Sequence, residues 1–273
     1  MKRLLLFLML AGLLSSAGAQ PSYTFGVVPQ FEPRKLAGIW TPVLRDLEKR
    51  TGFKLELVGS PRIPQFEGEF EQGSYDFAYM NPYHALVAGR LQKYIPLVRD
   101  GSRQLYGILV VAKDSPIASI ADLNGKTVAF PSPNALGASL LMRADLERLH
   151  KISVVPLWAQ THTSSYLSVA LGSAQAAGGV MSTFQSQKPE LRDRLKILYE
   201  TRRMPPHPVV AHPRVPEADR EKMRQAFLDM AADPQGAALL ANVPIGRAVA
   251  ASANDYQQLA RWGLEDFYVK DAQ

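Results

Sequence analysis

The sequence predicts an α/β chain of mainly parallel sheets divided between two lobes. Three observations carry this. Runs rich in β-branched and aromatic residues alternate with segments of helical period. Two separate stretches, residues 104–110 and 199–210, both read as extended, as two crossings between lobes would. The chain has 273 residues and no cysteine, so it is long enough for two cores, and burial rather than disulfides must hold them.

The chain starts Met-Lys-Arg, continues in an apolar run over 4–14, and reaches an Ala-x-Ala site at residue 19. That order marks a secretory signal peptide over 1–19. The run is too short to span a bilayer, which takes about 20 residues. No cysteine follows it for lipid attachment, so export as a soluble protein is expected.

The elements then follow in order. Residues 23–28 form a strand ended by Pro29. Leu36, Ile39, Trp40, Val43, Leu44 and Leu47 recur at helical spacing, and Gly52 is placed as a C-cap. Pro42 inside that pattern requires either a helix that starts there or one that is kinked. A strand over 54–58, a short helix around 65–72, a strand over 77–80 and a helix from Pro82 to about 91 come next. Residues 106–112 read as a long buried strand, and Ser119-Ile-Ala-Asp122 fits a capping box. A strand over 127–130 leads through a loop, 131–137, into a helix reaching about 150. Then come a strand over 152–156, a helix over 161–171, and strands over 177–181 and 195–199. The proline-dense Met204-Pro-Pro-His-Pro208 reads as an extended connection. Residues 216–268 read as helical, with Asp233-Pro-Gln-Gly236 separating two helices.

In open α/β sheets, ligands sit at the carboxyl ends of strands. The strand over 77–80 ends in Tyr79, Asn81, Tyr83 and His84, which can line a pocket; alternatively Tyr79 belongs to the core and His84 to a solvated face. The helix start with Asn134, Gly137 and Ser139 offers free N–H groups and side-chain donors to an anion. Equally, Asn134 is a plain N-cap and Gly137 packs against a strand. A third cluster is Thr161, His162, Thr163, Ser164 and Ser165. At a helix N-terminus His162 should stay neutral and can donate to an oxyanion, unless this is only a capped, solvated helix end. Tyr106 and Gln30 fall more weakly on the same side.

Other function classes lack support. The formal charge of +6 includes Lys2 and Arg3 and forms no basic tract for nucleic acid. The five histidines form no metal-binding pair motif, although His84 and His162 could meet across a cleft. No nucleophile elbow, P-loop or dinucleotide fingerprint is present. No cofactor is expected.

The motifs also resemble a known family. Phe25-Gly-Val-Val-Pro29 followed by Trp40-x-Pro42, Gly73-x-Tyr-Asp-Phe-Ala78, and the run from Asp114 to Phe130 occur in order. So do His162-x-x-Ser165 with Val169-x-x-Gly172, Asp233-Pro-x-Gly236, and Asn254-Asp-Tyr256. Together they resemble the phosphate/phosphite/phosphonate-binding family of periplasmic solute-binding proteins over nearly the whole chain after the signal. The resemblance implies a bilobed type II Venus-flytrap fold, with residues 20–105 plus 206–273 in lobe one and 106–205 in lobe two. It implies a periplasmic monomer that captures a small anion, without catalysis, for an ABC permease; the alternative is a sensor that partners a membrane histidine kinase. By motif position, Tyr79, Tyr106, His162 and the loop from Asn134 through Gly137 to Ser139 would hold the oxyanion. Asn81, Tyr83 and Ser165 would add contacts. One departure stands out: Ala135 and Leu136 occupy a loop where the family usually places hydroxyls.

Overall fold

The computed structural model describes residues 20–270, so the signal peptide expected over 1–19 lies outside the described residues. The path begins β1 (Ser22–Val27), α1 (Pro33–Thr51), β2 (Lys54–Gly59), α2 (Ile63–Glu71), β3 (Phe77–Tyr79), α3 (Pro82–Gln92) and β4 (Ile95–Asp100). It continues β5 (Gly107–Ala112), β6 (Thr127–Phe130), α4 (Leu141–Arg148), β7 (Val155–Trp158), α5 (His162–Ala170), β8 (Ala176–Val180), α6 (Met181–Gln185), α7 (Pro189–Arg192) and β9 (Leu195–Glu200). It returns with β10 (Pro208–Ala211), α8 (Glu217–Ala232), α9 (Pro234–Leu240) and β11 (Ala248–Ala250).

Two sheets organise these elements. The first has the order β11-β4-β10-β3-β1-β2, and the second β7-β6-β8-β5-β9. The chain passes between them twice, after β4 and after β9. Where the crossings meet, Leu105 and Met204 exchange two backbone hydrogen bonds of 2.9 Å. This short antiparallel bridge joins two lobes, each built on one sheet.

Helix α1 shows how the sequence settles its own conflict. Pro33 opens it, and Gly52 ends it with φ of 70°, its N–H donating to the Glu48 carbonyl. Leu36, Trp40, Val43, Leu44 and Leu47 share the buried face. Pro42 lies inside the helix, but it and Gly38, four residues earlier, are exposed. The carbonyl that loses its donor is therefore open to water, and the helix continues.

The sheets are mixed rather than mainly parallel. β1 pairs parallel with β2 and β3, but β10 runs antiparallel to β3 and β4, and β11 antiparallel to β4. β5 likewise runs antiparallel to both β8 and β9. β4 carries an internal proline, β10 begins at one, and β11 has only three residues, so strand periodicity hardly marks them. β7 begins at Val155 rather than 152, and residues 152–154 precede it as an irregular link.

The loop before α4 is wedged between the lobes. Ala135, Leu136 and Ala138 belong to the same apolar cluster as Phe25, Trp40 and Tyr79 of the first sheet. A wide π-type turn over Leu136–Leu140 fits there because glycine backbones face it. A Cβ on Gly178 would stand 1.9 Å from the Ala138 carbonyl oxygen, whereas a Cβ on Gly59 would meet nothing within 4 Å. Gly178→Ala should therefore lower stability by at least about 2 kcal/mol, and Gly59→Ala should change it little. Urea unfolding of the two variants checks this; equal midpoints would show that the turn can shift away.

Candidate functional site

The cleft between the lobes contains two adjoining cavities, both bordered by Gln30. The smaller, about 20 Å³, lies among Asn81, the turn Ala135–Ala138 and His162. That is room for about one water-sized group. The larger, about 740 Å³, opens beside the crossings. Tyr79, Tyr106, Arg103, Arg203 and His207 line it.

His162 is the first residue of α5, after the N-cap Thr161, whose hydroxyl accepts from the Ser164 N–H at 3.0 Å. The imidazole is buried, and burial pulls its pKa down to about 4. It is therefore neutral, as the helix N-terminus also favours. Nδ1 lies 3.2 Å from the Thr183 hydroxyl oxygen. The Val180 carbonyl accepts from either Thr183 at 2.9 Å or Tyr166 at 3.2 Å. When Tyr166 supplies that bond, Thr183 donates to Nδ1 and Nε2 carries the proton. Nε2 has no partner among the described residues, and an anion in the cavity would select this tautomer.

Asn81 caps α3, accepting from the His84 N–H at 2.8 Å, and its amide donates across the cleft to the Asn134 carbonyl at 3.3 Å. The N–H groups of Leu136, Gly137 and Ala138 begin a helix and lack intrahelical acceptors, so the small cavity has backbone donors despite its missing hydroxyls. Gly137 both borders this cavity and packs on Gly107, where a Cβ would come within 3.3 Å of the backbone.

Tyr79 and Tyr106 face the larger chamber instead. The Tyr79 ring stacks on His207 with centroids 5.2 Å apart, and its hydroxyl has no partner among the described residues. Burial raises the Tyr79 pKa, so the hydroxyl stays a donor. His207 is pulled down to about 3 by burial first, then by the neighbouring His84 and His162. Its Nε2 lies 3.4 Å from the Gln30 amide.

Four other residues expected at the site have contacts within the fold. Asn134 is fully buried and is not an N-cap: its amide donates to Glu67 at 3.1 Å and to the Val269 carbonyl at 2.8 Å, and its oxygen accepts from the Val269 N–H at 2.9 Å. Ser139 accepts from Arg143 Nε at 3.3 Å, and Ser165 donates to the Thr161 carbonyl at 3.1 Å. Tyr83 turns to Tyr268, with ring centroids 5.6 Å apart. His84 is not on a solvated face; it is fully buried and 2.8 Å from Glu67. Among the described residues no three His, Asp or Glu side chains converge as a metal site would need.

Sequence reasoning overlooked Arg103, Arg203 and His207. Arg203 lies 4.0 Å over the Tyr106 ring. Arg103 and Arg203 are half-exposed, with carboxylate partners Asp100 at 3.4 Å and Glu200 at 3.3 Å. Arg99 is more firmly held, by Asp255 at 3.0 Å. Burial alone would push the Asp100 pKa up, but the Ser102 hydroxyl and N–H and the Arg247 N–H outweigh it and keep the carboxylate ionised. Each of the three chamber arginines is thus paired with a carboxylate.

Residues 25–256 match the family model described as ABC transporter, phosphonate, periplasmic substrate-binding protein. The phosphonates-binding periplasmic protein of Escherichia coli K12 is 25% identical over 248 residues, which cover 85% of this chain and 73% of that protein. PhnD1 of Prochlorococcus marinus, solved with methylphosphonate, superposes with a TM-score of 0.82 at 14% identity, covering 91% of this chain and 99% of that one. A binding-protein component of a Pseudomonas aeruginosa phosphonate transporter gives 0.81 at 18% identity, covering 89% and 85%. Both superpositions support the bilobed type II fold.

The neutral state of His162 has a pH signature. Its folded pKa, about 4, lies below the ordinary 6.5, so the unfolded chain binds more protons between those values. Stability is fully present above pH 6.5 and is lost as pH falls towards 4, by about 3 kcal/mol from this group. Urea unfolding between pH 7.5 and 4 should show a shallower decline for His162→Gln than for the wild type. Equal declines would mean that His162 titrates freely.

Proposed function

The chain belongs to the periplasmic substrate-binding family of phosphonate ABC transporters, and on that premise we propose how it captures its solute. As a substrate-binding component it binds and releases; it is not an enzyme. The solute is a small oxyanion of phosphonate type, taken between lobe one, 20–105 plus 206–273, and lobe two, 106–205. The lobes hinge at the Leu105–Met204 bridge. The protein is exported through its signal peptide over 1–19, acts as a monomer, and delivers the closed complex to the permease. Family membership supports delivery over partnership with a sensor kinase.

The observation that carries this reading is the neutral His162, its Nε2 unpartnered among the described residues, facing Asn81 and the backbone donors of the 135–138 turn across the small cavity. A neutral donor suits an oxyanion well, because it supplies a hydrogen bond without first having to be protonated inside the fold. The cavity is too small for a phosphonate as it stands, so the lobes must part for entry and re-form around the anion. Tyr79 and Tyr106 contribute from the chamber side.

His162→Ala should weaken methylphosphonate binding at least tenfold, as the loss of one hydrogen bond to a charged group implies. Calorimetric titration measures this, with circular dichroism to show an unchanged fold. Unchanged affinity would remove His162 from the site.

A further inference from the structure

We propose that the small cavity between Asn81, the 135–138 turn and His162 takes fully deprotonated tetrahedral oxyanions of single charge, so that the protein binds organosulfonates as well as phosphonates. This rests on the oxyanion reading above and extends its ligand class.

Around the cavity donors are free and acceptors are taken. His162 offers Nε2, and the N–H groups of Leu136, Gly137 and Ala138 lack intrahelical acceptors. By contrast, Asn81 Oδ1 accepts from the His84 N–H at 2.8 Å, and the Asn134 carbonyl accepts from the Asn81 amide at 3.3 Å. The Ala135 carbonyl accepts from the Ser139 and Leu140 N–H groups at 2.8 and 3.1 Å, and the Val28 carbonyl from the Gln30 N–H at 2.9 Å. Gln30 places its amide nitrogen 3.4 Å from Nε2 of the neutral His207, which leaves an uncharged amide oxygen as the side-chain acceptor at the rim.

Charge is as sparse as free acceptors. Among the described residues that border the cavity, the polar side chains are Gln30, Asn81 and the neutral His162, and none is ionised. In the adjoining chamber Arg99, Arg103 and Arg203 each already pair with a carboxylate. Asp100, which lines the chamber, is 1% exposed. One of its oxygens accepts from the Ser102 hydroxyl at 2.6 Å and the other from Arg103 at 3.4 Å.

Such a site sorts tetrahedral oxyanions by their protons and charge. Near neutral pH a phosphonate enters either as a monoanion that keeps one hydroxyl on phosphorus or as a dianion. The hydroxyl is a donor and needs an acceptor, and leaving it unpaired on burial weakens binding. The dianion brings a second charge into a space without a cation, where burial is costly. A sulfonate avoids both costs. It is a fully deprotonated monoanion whose three oxygens only accept. Its head has the shape of a phosphonate's, and its organic part can extend past Gln30, which borders cavity and chamber alike.

The test is calorimetric titration of the refolded, ligand-stripped protein at neutral pH with methylphosphonate, methanesulfonate and the neutral dimethyl sulfone, repeated with His162→Ala. Methanesulfonate should bind within about tenfold of methylphosphonate, or more tightly. His162→Ala should weaken methanesulfonate at least about tenfold. In the wild type the two anions should compete for one site, a readout that does not depend on how the variant folds. Methanesulfonate weaker by more than about tenfold overturns the proposal and leaves the oxyanion reading standing, because a site with an acceptor for the phosphonate hydroxyl strongly rejects a ligand that lacks it. Methanesulfonate that binds without competing, or that is indifferent to His162→Ala, overturns its placement in this cavity and the proposal. Dimethyl sulfone bound as well as methanesulfonate, or binding of neither anion, overturns the oxyanion reading and this proposal with it.

Discussion

Asn134 holds the closed cleft together. It sits on the second lobe with no solvent exposure, yet its amide and carbonyl oxygen are spent on Glu67 of α2 and on the backbone of Val269. Asn81 completes the set by donating to its main-chain oxygen. Glu67 in turn lies 2.8 Å from His84, so the carboxylate is paired on one oxygen by each lobe. Such a network is unforgiving: removal of one partner leaves a buried charge short of a donor, which costs more than the bond itself contributes. It therefore specifies one closed arrangement rather than a range of them.

Much of the site's geometry follows from that clasp. With Asn134 fixed, the turn over 135–138 is pressed between Gly107, Gly178 and the first lobe's core. Its N–H groups, Asn81 and His162 meet around a space for a single small group. The remaining volume of the cleft lies towards the hinge, where the crossings bring arginines and planar side chains. A cleft of this kind separates two tasks. The small polar cavity offers hydrogen-bond donors, and the chamber offers volume. Phe267 adds a further tie, where the Arg143 guanidinium donates to the carbonyls of Pro133 and Phe267 at 2.9 and 2.7 Å.

The sequence made local structure legible wherever local chemistry decides it. Gly52 ends α1, Ser119 and Asp122 form a capping box, and Asp233 caps α9 while separating it from α8. The neutral imidazole of His162 was also readable, from its place at a helix start. What stayed hidden is set by pairing at long range. β4, β10 and β11 acquire strand character from antiparallel neighbours far away in sequence, not from their own pattern. The same holds at the site. Nothing near Asn134, Ser139 or Ser165 reveals that Asn134 is held by Glu67 and Val269, that Ser139 accepts from Arg143, or that Ser165 donates to Thr161. Nothing near Arg103 or Arg203 reveals that the two crossings bring them to one chamber.

The central claim is that the inter-lobe cleft recognises oxyanions. The measurement that tests it most directly is thermal unfolding of the refolded, ligand-stripped protein against phosphonates, phosphate, sulfonates and neutral solutes of matched size. At 100 times its dissociation constant a true ligand adds about 2.7 kcal/mol of stability, a rise of roughly 5–10 °C for a chain of this size. The account predicts that rise for phosphonates and none for neutral solutes. A rise with neutral solutes alone would contradict it.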